Sequence, residues 1–169
     1  MKKVSLLLIL ITTIASAQLR LGLDVSRELS MSGIEAEKAD GMGFTLGYEQ
    51  MLLSLVGVGA EYSLAGDEGI DMLYGYAVGK IPVGFPMARG IIRAGYSMPM
   101  GDASDFYEAG LAYVVCLRVK PPLFPVGIEA LYTIHNLEMK SDGDDFSEML
   151  MSLLELKYNV LTVTATYSF

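Results

Sequence analysis

The ten residues Val160–Phe169, VLTVTATYSF, alternate strictly between apolar side chains and hydroxyl side chains from the second residue onward. One face of this stretch carries Leu161, Val163, Ala165, Tyr167 and Phe169, and the other carries three threonines and a serine. Because successive side chains of a β-strand point to opposite faces, this period of two predicts a strand with one apolar and one polar face. The same pattern can then be sought in the rest of the chain.

Seven earlier stretches repeat this alternation of apolar with polar or small side chains. They span Leu19–Ser26, Met42–Glu49, Val56–Leu64, Ile70–Gly79, Arg89–Met98, Tyr107–Arg118 and Val126–His135. Polar, acidic connections alternate with short connections that lack charge, such as Pro82–Pro86. Transmembrane barrels have an even number of strands, with short turns at one end and longer loops at the other. The sequence therefore predicts an all-β fold, an eight-stranded antiparallel up-and-down transmembrane β-barrel.

The start of the chain has the three parts of a secretion signal. A basic segment, Met1–Lys3, precedes the apolar run Val4–Ile14, and Ala15–Ala17 provides a small-x-small cleavage site. The apolar run has 11 residues, well short of the roughly 20 that a membrane-spanning helix needs, which argues against a membrane anchor. We therefore expect residues 1–17 to be a signal peptide and residues 18–169 to form the barrel domain.

Composition narrows the classes of function. The chain carries 12 Lys and Arg against 20 Asp and Glu. Without the two lysines of the signal peptide the formal charge is −10, and such a chain is a poor candidate for binding nucleic acid. It is nevertheless 52% hydrophobic, with a mean hydropathy of +0.41. High apolar content without a long apolar run beyond the signal is typical of a transmembrane barrel, whose strands distribute hydrophobic side chains by alternation.

The polar faces of these strands would place nine charged side chains inside the barrel. They are Arg20, Asp24, Glu49, Glu61, Arg89, Arg93, Glu108, Arg118 and Glu129. Side chains fill the interior of an eight-stranded barrel, and a buried charge without a partner is costly, so we expect a salt-bridge network that plugs the barrel. Arg93 is the predicted centre, because a guanidinium can bridge two carboxylates. A second hypothesis is a narrow, gated, porin-like ion path that opens when these pairs exchange.

Two stretches are harder to interpret. In the fourth strand we expect the aromatic and aliphatic side chains from Ile70 to Val78 to face lipid, with Lys80 on the same face reaching the membrane surface. The segment Met149–Leu156 does not alternate cleanly. We expect it to extend the eighth strand, with a bulge near residues 157–159 that reverses which side chains of the strand point into the barrel. The alternative is a short amphipathic helix.

Residues suited to catalysis or metal binding are sparse. His135 is the only histidine and has no adjacent serine, so a lipid-modifying enzyme is only the third hypothesis, and we predict no enzymatic activity and no catalytic residue. Asp142, Asp144 and Asp145 offer oxygen atoms that suit Ca²⁺ or Mg²⁺, but they lack the spacing of an EF-hand. We favour a solvated acidic loop over a divalent-cation site, and we predict no metal centre and no other cofactor.

The chain from Gln18 to Phe169 resembles the small eight-stranded outer-membrane barrels of the OmpA/OmpX type in length and pattern. Its last strand, with Leu161, Val163, Ala165, Tyr167 and Phe169 on the apolar face, looks like the C-terminal signal by which the outer-membrane assembly machinery recognises such proteins. The resemblance implies a monomer in the bacterial outer membrane, in contact with outer-membrane lipid. Because this fold hosts diverse functions, we expect a structural or interaction role through the acidic loops. The rival architecture is a soluble periplasmic barrel around a small ligand, which requires the opposite facing of every strand.

Overall fold

The computed structural model describes residues 16–31, 37–39, 41–53, 55–66, 69–140 and 156–169. Eight long strands dominate this part of the chain. They are β1 (Ser16–Met31), β2 (Gly43–Met51), β3 (Val56–Leu64), β4 (Met72–Pro82), β5 (Ala88–Pro99), β6 (Gly110–Val119), β7 (Val126–Met139) and β8 (Leu156–Ser168). Two strands of two residues each, Glu37–Lys38 and Tyr107–Glu108, pair with β1 and β7. A short 3-10 helix, Gly101–Asp105, follows β5.

The eight long strands form one closed barrel. Each pairs antiparallel with the next in the chain, and β8 pairs back onto β1, with Leu19 opposite Tyr167 and Leu23 opposite Val163. Closure leaves none of these strands with a free edge, which an open sheet would have to protect. The predicted eight-stranded antiparallel up-and-down barrel is therefore confirmed.

Within the described ranges, no helix is both long enough and apolar enough to cross a bilayer. The predicted signal peptide falls almost entirely in residues 1–15, outside those ranges. Its last two residues, Ser16 and Ala17, begin β1, and the backbone of Ala17 exchanges two hydrogen bonds with that of Phe169. Cleavage after Ala17 remains a prediction.

Side chains point alternately into the barrel and out of it, with the facing that the sequence predicts for seven of the eight strands. On β8 the hydroxyl side chains of Thr162, Thr164 and Thr166 are buried inside, whereas Leu161 and Val163 are exposed on the outer surface. The outer surface of the barrel is therefore apolar and the interior is mixed. A soluble barrel would need a polar exterior, so this facing argues against the rival architecture.

The fourth strand faces the opposite way from the prediction. Tyr74, Tyr76 and Val78 are buried inside the barrel, and Lys80 is buried on the same inner face. The expectations that this apolar face meets lipid and that Lys80 extends to the membrane surface were wrong. Neither face of β4 carries a charge between residues 72 and 79, so alternation alone could not decide which side turns inward.

Small residues on β3 make room for the large side chains of β4. Gly59 lies opposite Tyr76 in the register, and a Cβ atom at residue 59 would stand 2.6 Å from atoms of the Tyr76 ring. Carbon atoms in contact prefer a separation of about 3.5–4.0 Å, so no larger residue fits there without displacing the tyrosine. The glycine face of β3 and the tyrosine face of β4 thus fill one interior volume together.

A β-bulge at Val25 interrupts β1. Asp24 pairs with Thr162 and Ser26 pairs with Leu161, so that Val25 is skipped in the pairing with β8. An extra residue on one strand changes the face presented by everything that follows it. The bulge therefore turns the next odd-numbered side chain inward, and Arg27 is buried in the barrel.

The strand opposite the bulge is regular. β8 alternates between buried and less buried residues from Leu156 to Thr166 without a change of face, so the bulge predicted near residues 157–159 was wrong. The irregularity belongs to the neighbouring strand instead. The rest of the segment Met149–Leu156, for which the sequence left a strand and a helix open, lies outside the described residues, and so does the acidic loop with Asp142, Asp144 and Asp145.

The interior has two layers along the barrel axis. At the end with the longer loops, buried apolar side chains form a cluster inside the barrel. It comprises Ile70, Met72, Leu137, Leu156, Tyr158 and Val160, with Leu29, Met31, Ala103 and Tyr107 packed against it. The second layer, towards the short turns, combines buried charges with the aromatic rings of β4. This second layer contains the candidate site.

Candidate functional site

Glu129 is the carboxylate at the centre of the charged layer. Its inward position on β7 follows from the alternation of that strand, and its side chain is fully buried. It accepts hydrogen bonds from Arg20 Nη2 at 3.1 Å and from Arg93 Nη2 at 3.0 Å, and it also pairs with Arg118. One glutamate thus binds three guanidinium groups that come from β1, β5 and β6.

Glu49, on β2, is the second shared carboxylate. Its Oε2 accepts from Arg93 Nη2 at 3.1 Å, and its Oε1 accepts from Arg118 Nη2 at 3.3 Å. The ammonium of Lys80 lies 3.5 Å from the same Oε1. Because Arg93 and Arg118 contact both Glu49 and Glu129, the two carboxylates and their cations form one continuous network.

Arg20 links this network to the aromatic residues of β4. It pairs with Glu61 and donates from Nη1 to the Tyr76 hydroxyl at 2.9 Å. The guanidinium carbons of Arg20 and Arg93 lie 6.0 and 5.3 Å from the centroid of the Tyr76 ring, at the distance where a cation is attracted to an aromatic face. The inward facing of Tyr76 therefore stabilises two of the buried cations.

Pairing is what makes so many buried charges tolerable. Each isolated ion would cost several kcal/mol to bury, and the cost is offset only when geometry and hydrogen bonding are good. Here Glu49, Glu61 and Glu129 each contact at least one cation. Two donors, Arg20 Nε and Arg93 Nη1, have no hydrogen-bond partner among the described residues. The network is dense but leaves these donors available for a water molecule.

Six of the nine residues predicted to form the interior network are brought together in it. These six are Arg20, Glu49, Glu61, Arg93, Arg118 and Glu129. Asp24 is also buried, but it lies in a separate group, where it accepts a hydrogen bond from Thr162 Oγ1 at 2.9 Å. The predicted centre, Arg93, does bridge two carboxylates, although Glu129 contacts more of the opposite charges.

The positions of Arg89 and Glu108 differ from the prediction, because both side chains are exposed, near opposite ends of the barrel. Arg89 shares the inner face of β5 but lies at the short-turn opening, since alternation gives the face of a residue and not its depth. Glu108 has changed face. It lies opposite Glu138, which is exposed on the outer face of β7, because the register with β7 shifts by one residue between Glu108 and Ala112.

Several interior residues were missed, and three of them contact the buried polar groups: Lys80, Tyr76 and Arg27. Lys80 and Tyr76 belong to β4, whose facing was predicted the wrong way round, and the glycines of β3 were the signal that could have oriented it. Arg27 donates to the carbonyl of Ala65 from inside the barrel, but nothing in the sequence marks the bulge that turns it inward. Both errors therefore come from orientation rather than from residue type.

The interior leaves little free space beside the charged layer. The cavity between this layer and the apolar cluster has a volume of about 10 Å³, roughly the space of a single water molecule. His135 lies in its wall, buried between the rings of Tyr74 and Tyr158, each 5.9 Å away. In the described ranges, no group of three or more His, Cys, Asp or Glu side chains is arranged to hold a metal ion.

Several solved structures resemble this barrel. The attachment invasion locus protein Ail of Yersinia pestis superimposes with a TM-score of 0.54 and 18% identity, covering 92% of this chain and 99% of that one. Neisserial surface protein A superimposes with a TM-score of 0.57 and 11% identity, covering 92% of this chain and 97% of that one. The chain has the fold of the small eight-stranded outer-membrane β-barrels. No family model and no curated protein sequence matches it.

The outer surface has the chemistry that this outer-membrane barrel fold requires. Large apolar side chains are exposed on all eight strands, and the outward residues of the last strand, Leu161, Val163, Ala165, Tyr167 and Phe169, are among those on the outside. The Tyr167 and Phe169 rings lie 6.2 Å apart at the short-turn end. Their position leaves them accessible, and recognition by an assembly machinery remains a prediction.

Proposed function

We propose that the chain is an integral protein of the bacterial outer membrane, with a plugged barrel that spans the bilayer and a structural or interaction role carried by its loops. The observation that supports this most directly is the outer surface. Val115 is 68% exposed, Leu21 64% and Ile128 60%, and all three lie within strands. Soluble monomers rarely expose a continuous apolar surface of more than a few hundred Å². Lipid is the environment in which such a surface is stable.

The filled interior supports a role for the outside of the molecule. Buried apolar side chains lie in one end of the barrel and paired charges lie in the middle, which favours a plugged barrel over an ion path. The long-loop end carries exposed acidic side chains, including Glu37, Asp102 and Asp105. These charges face away from the membrane and are the available surface for a partner. A monomer suffices for this role, because the closed sheet has no edge to share.

The first test is the gel mobility of the chain folded into detergent or lipid, with and without boiling. We expect a compact folded band that shifts on heating, together with a β-type circular dichroism spectrum, because a closed barrel resists detergent until it is heated. A protein that stays in solution without detergent and shows no shift would contradict the membrane assignment.

Conductance distinguishes the plugged barrel from the gated ion path. We expect no steady current across a planar bilayer that contains the folded protein, since paired side chains occupy the middle of the barrel and the cavity beside them has room for about one water molecule. The matched variant is Arg93→Gln, which removes a cation that contacts both Glu49 and Glu129. Steady current in the unchanged protein that disappears or changes its ion preference in Arg93→Gln would favour the ion path instead.

A further inference from the structure

The short-turn end of the barrel contains an open cavity lined by cations. It has a volume of about 300 Å³ and is bounded by proline-containing turns and by Lys80, Arg89, Arg118 and Lys120. We call it the basic vestibule. The three short connections at this end, residues 51–55, 83–87 and 120–125, contain no Asp or Glu. A chain with an overall formal charge of −8 thus gathers positive charge at this opening.

Two arginines lie side by side in the wall of this vestibule. Arg89 on β5 and Arg118 on β6 are direct partners in the strand register and share the inner face. Like charges placed directly opposite on neighbouring strands are destabilising. Arg118 is buried and is compensated by Glu49 and Glu129, whereas Arg89 is exposed and has no ion-pair partner among the described residues. An anion between them would relieve the repulsion.

The carboxylates deeper in the barrel cannot supply that anion. Around Glu49, Glu61 and Glu129 the network holds four cations, namely Arg20, Lys80, Arg93 and Arg118. Arg89 and Lys120 raise the number of cations to six against these three carboxylates. The side chains of this layer and its opening therefore carry an excess of three positive charges.

Lys120 extends the cationic lining to the rim. Its ammonium donates to the Ser168 hydroxyl at 2.8 Å, which fixes it beside the opening while leaving donors for a ligand. Burial lowers the pKa of Lys120, and the charge of Arg118 acts in the same direction. Bound negative charge beside the ammonium would oppose both effects and raise the pKa again. The vestibule thus combines a forked guanidinium donor with an ammonium, a set that suits phosphate oxygens.

We propose that the basic vestibule binds a phosphate-type oxyanion, held by Arg89 and Lys120 at the rim and by the positive excess beneath them. The oxyanion could be soluble phosphate or the phosphate of an anionic lipid headgroup at the membrane surface, which have the same chemistry. The site does not depend on the membrane location of the barrel, because every residue that forms it belongs to this chain and faces its interior or its rim.

The test is a calorimetric titration of the folded, full-length barrel with inorganic phosphate in a sugar detergent that contains no phosphate. Ionic strength is matched with sodium chloride throughout. We expect saturable binding that Arg89→Gln and Lys120→Gln each weaken by about tenfold, the usual size of a lost charge-assisted hydrogen bond. The control is Lys38→Gln, which removes an exposed lysine from the long-loop end and should leave the affinity unchanged.

A second arm separates the two sources. The titration is repeated in nanodiscs of phosphatidylcholine and in nanodiscs that contain phosphatidylglycerol. Weaker phosphate binding in the phosphatidylglycerol discs identifies a lipid headgroup as a competing occupant, and equal binding identifies soluble phosphate, so both results retain the site. The proposal is overturned if phosphate shows no saturable binding, if chloride alone reproduces the signal, or if Arg89→Gln binds as the Lys38→Gln control does. All variants are first checked for the heat-dependent gel shift.

Discussion

Replacing Glu129 by glutamine is expected to lower the free energy of unfolding of the barrel by about 3–5 kcal/mol, the usual cost of removing one partner from a buried ion pair. The side chain is fully buried and contacts Arg20, Arg93 and Arg118. The substitution keeps the shape of the side chain but removes its charge. Three guanidinium groups then have only Glu49 and Glu61 to compensate them.

The measurement is urea unfolding in lipid vesicles, followed by circular dichroism because the chain has no tryptophan. Glu138→Gln is the matched control, since Glu138 lies on the same strand but is exposed, and surface changes of this kind usually alter stability by less than about 0.5 kcal/mol. If both variants lose the same small amount, Glu129 does not organise the interior.

Introducing arginine at Ala94 is expected to destabilise the folded barrel in lipid by about 2–4 kcal/mol, the cost measured for this residue near the middle of a bilayer. Ala94 is exposed on the outside of β5, between Ala77 of β4 and Tyr113 of β6. In water the same substitution on an exposed strand position would change stability little. The size of the loss therefore reports whether lipid surrounds the strands.

The control places the same residue outside the apolar belt. Leu123 is 93% exposed in the turn between β6 and β7, and Leu123→Arg should cost only about 0–1 kcal/mol, as near the interface. Both variants are unfolded in the same vesicles. Equal stability of Ala94→Arg and Leu123→Arg would mean that the outer surface of the barrel is not in contact with the hydrocarbon core.

The fold could be predicted because the sequence alternates where the strands do. Glu129 and Arg93 occupy polar positions between apolar neighbours, and the closed barrel places both inside. Arg89 follows the same alternation but lies beyond the filled interior. The period of a strand specifies a face, whereas depth along the barrel axis depends on where the neighbouring strands end. That second quantity is a property of the whole sheet.

The remaining errors have local causes. β4 presents tyrosines on one face and leucine, glycine and alanine on the other, so either side could in principle meet lipid. The decision comes from β3, where Gly59 leaves the volume that Tyr76 fills. Lys80 follows its strand inward and pairs with Glu49. Residues on one strand thus determine the facing of the next, which a strand-by-strand interpretation does not capture.

The bulge at Val25 has a consequence for how this chain can vary in length. β1 is one residue longer than its pairing with β8 requires, because Asp24 and Ser26 already face consecutive partners. Deleting Val25 would preserve every other pair and keep Arg27 on its present side. Deleting a residue between Leu19 and Asp24 would act like a frameshift, reversing each side chain between the deletion and the bulge. Val25 is therefore the position at which evolution or design can shorten this strand without changing which side chains face the inside of the barrel.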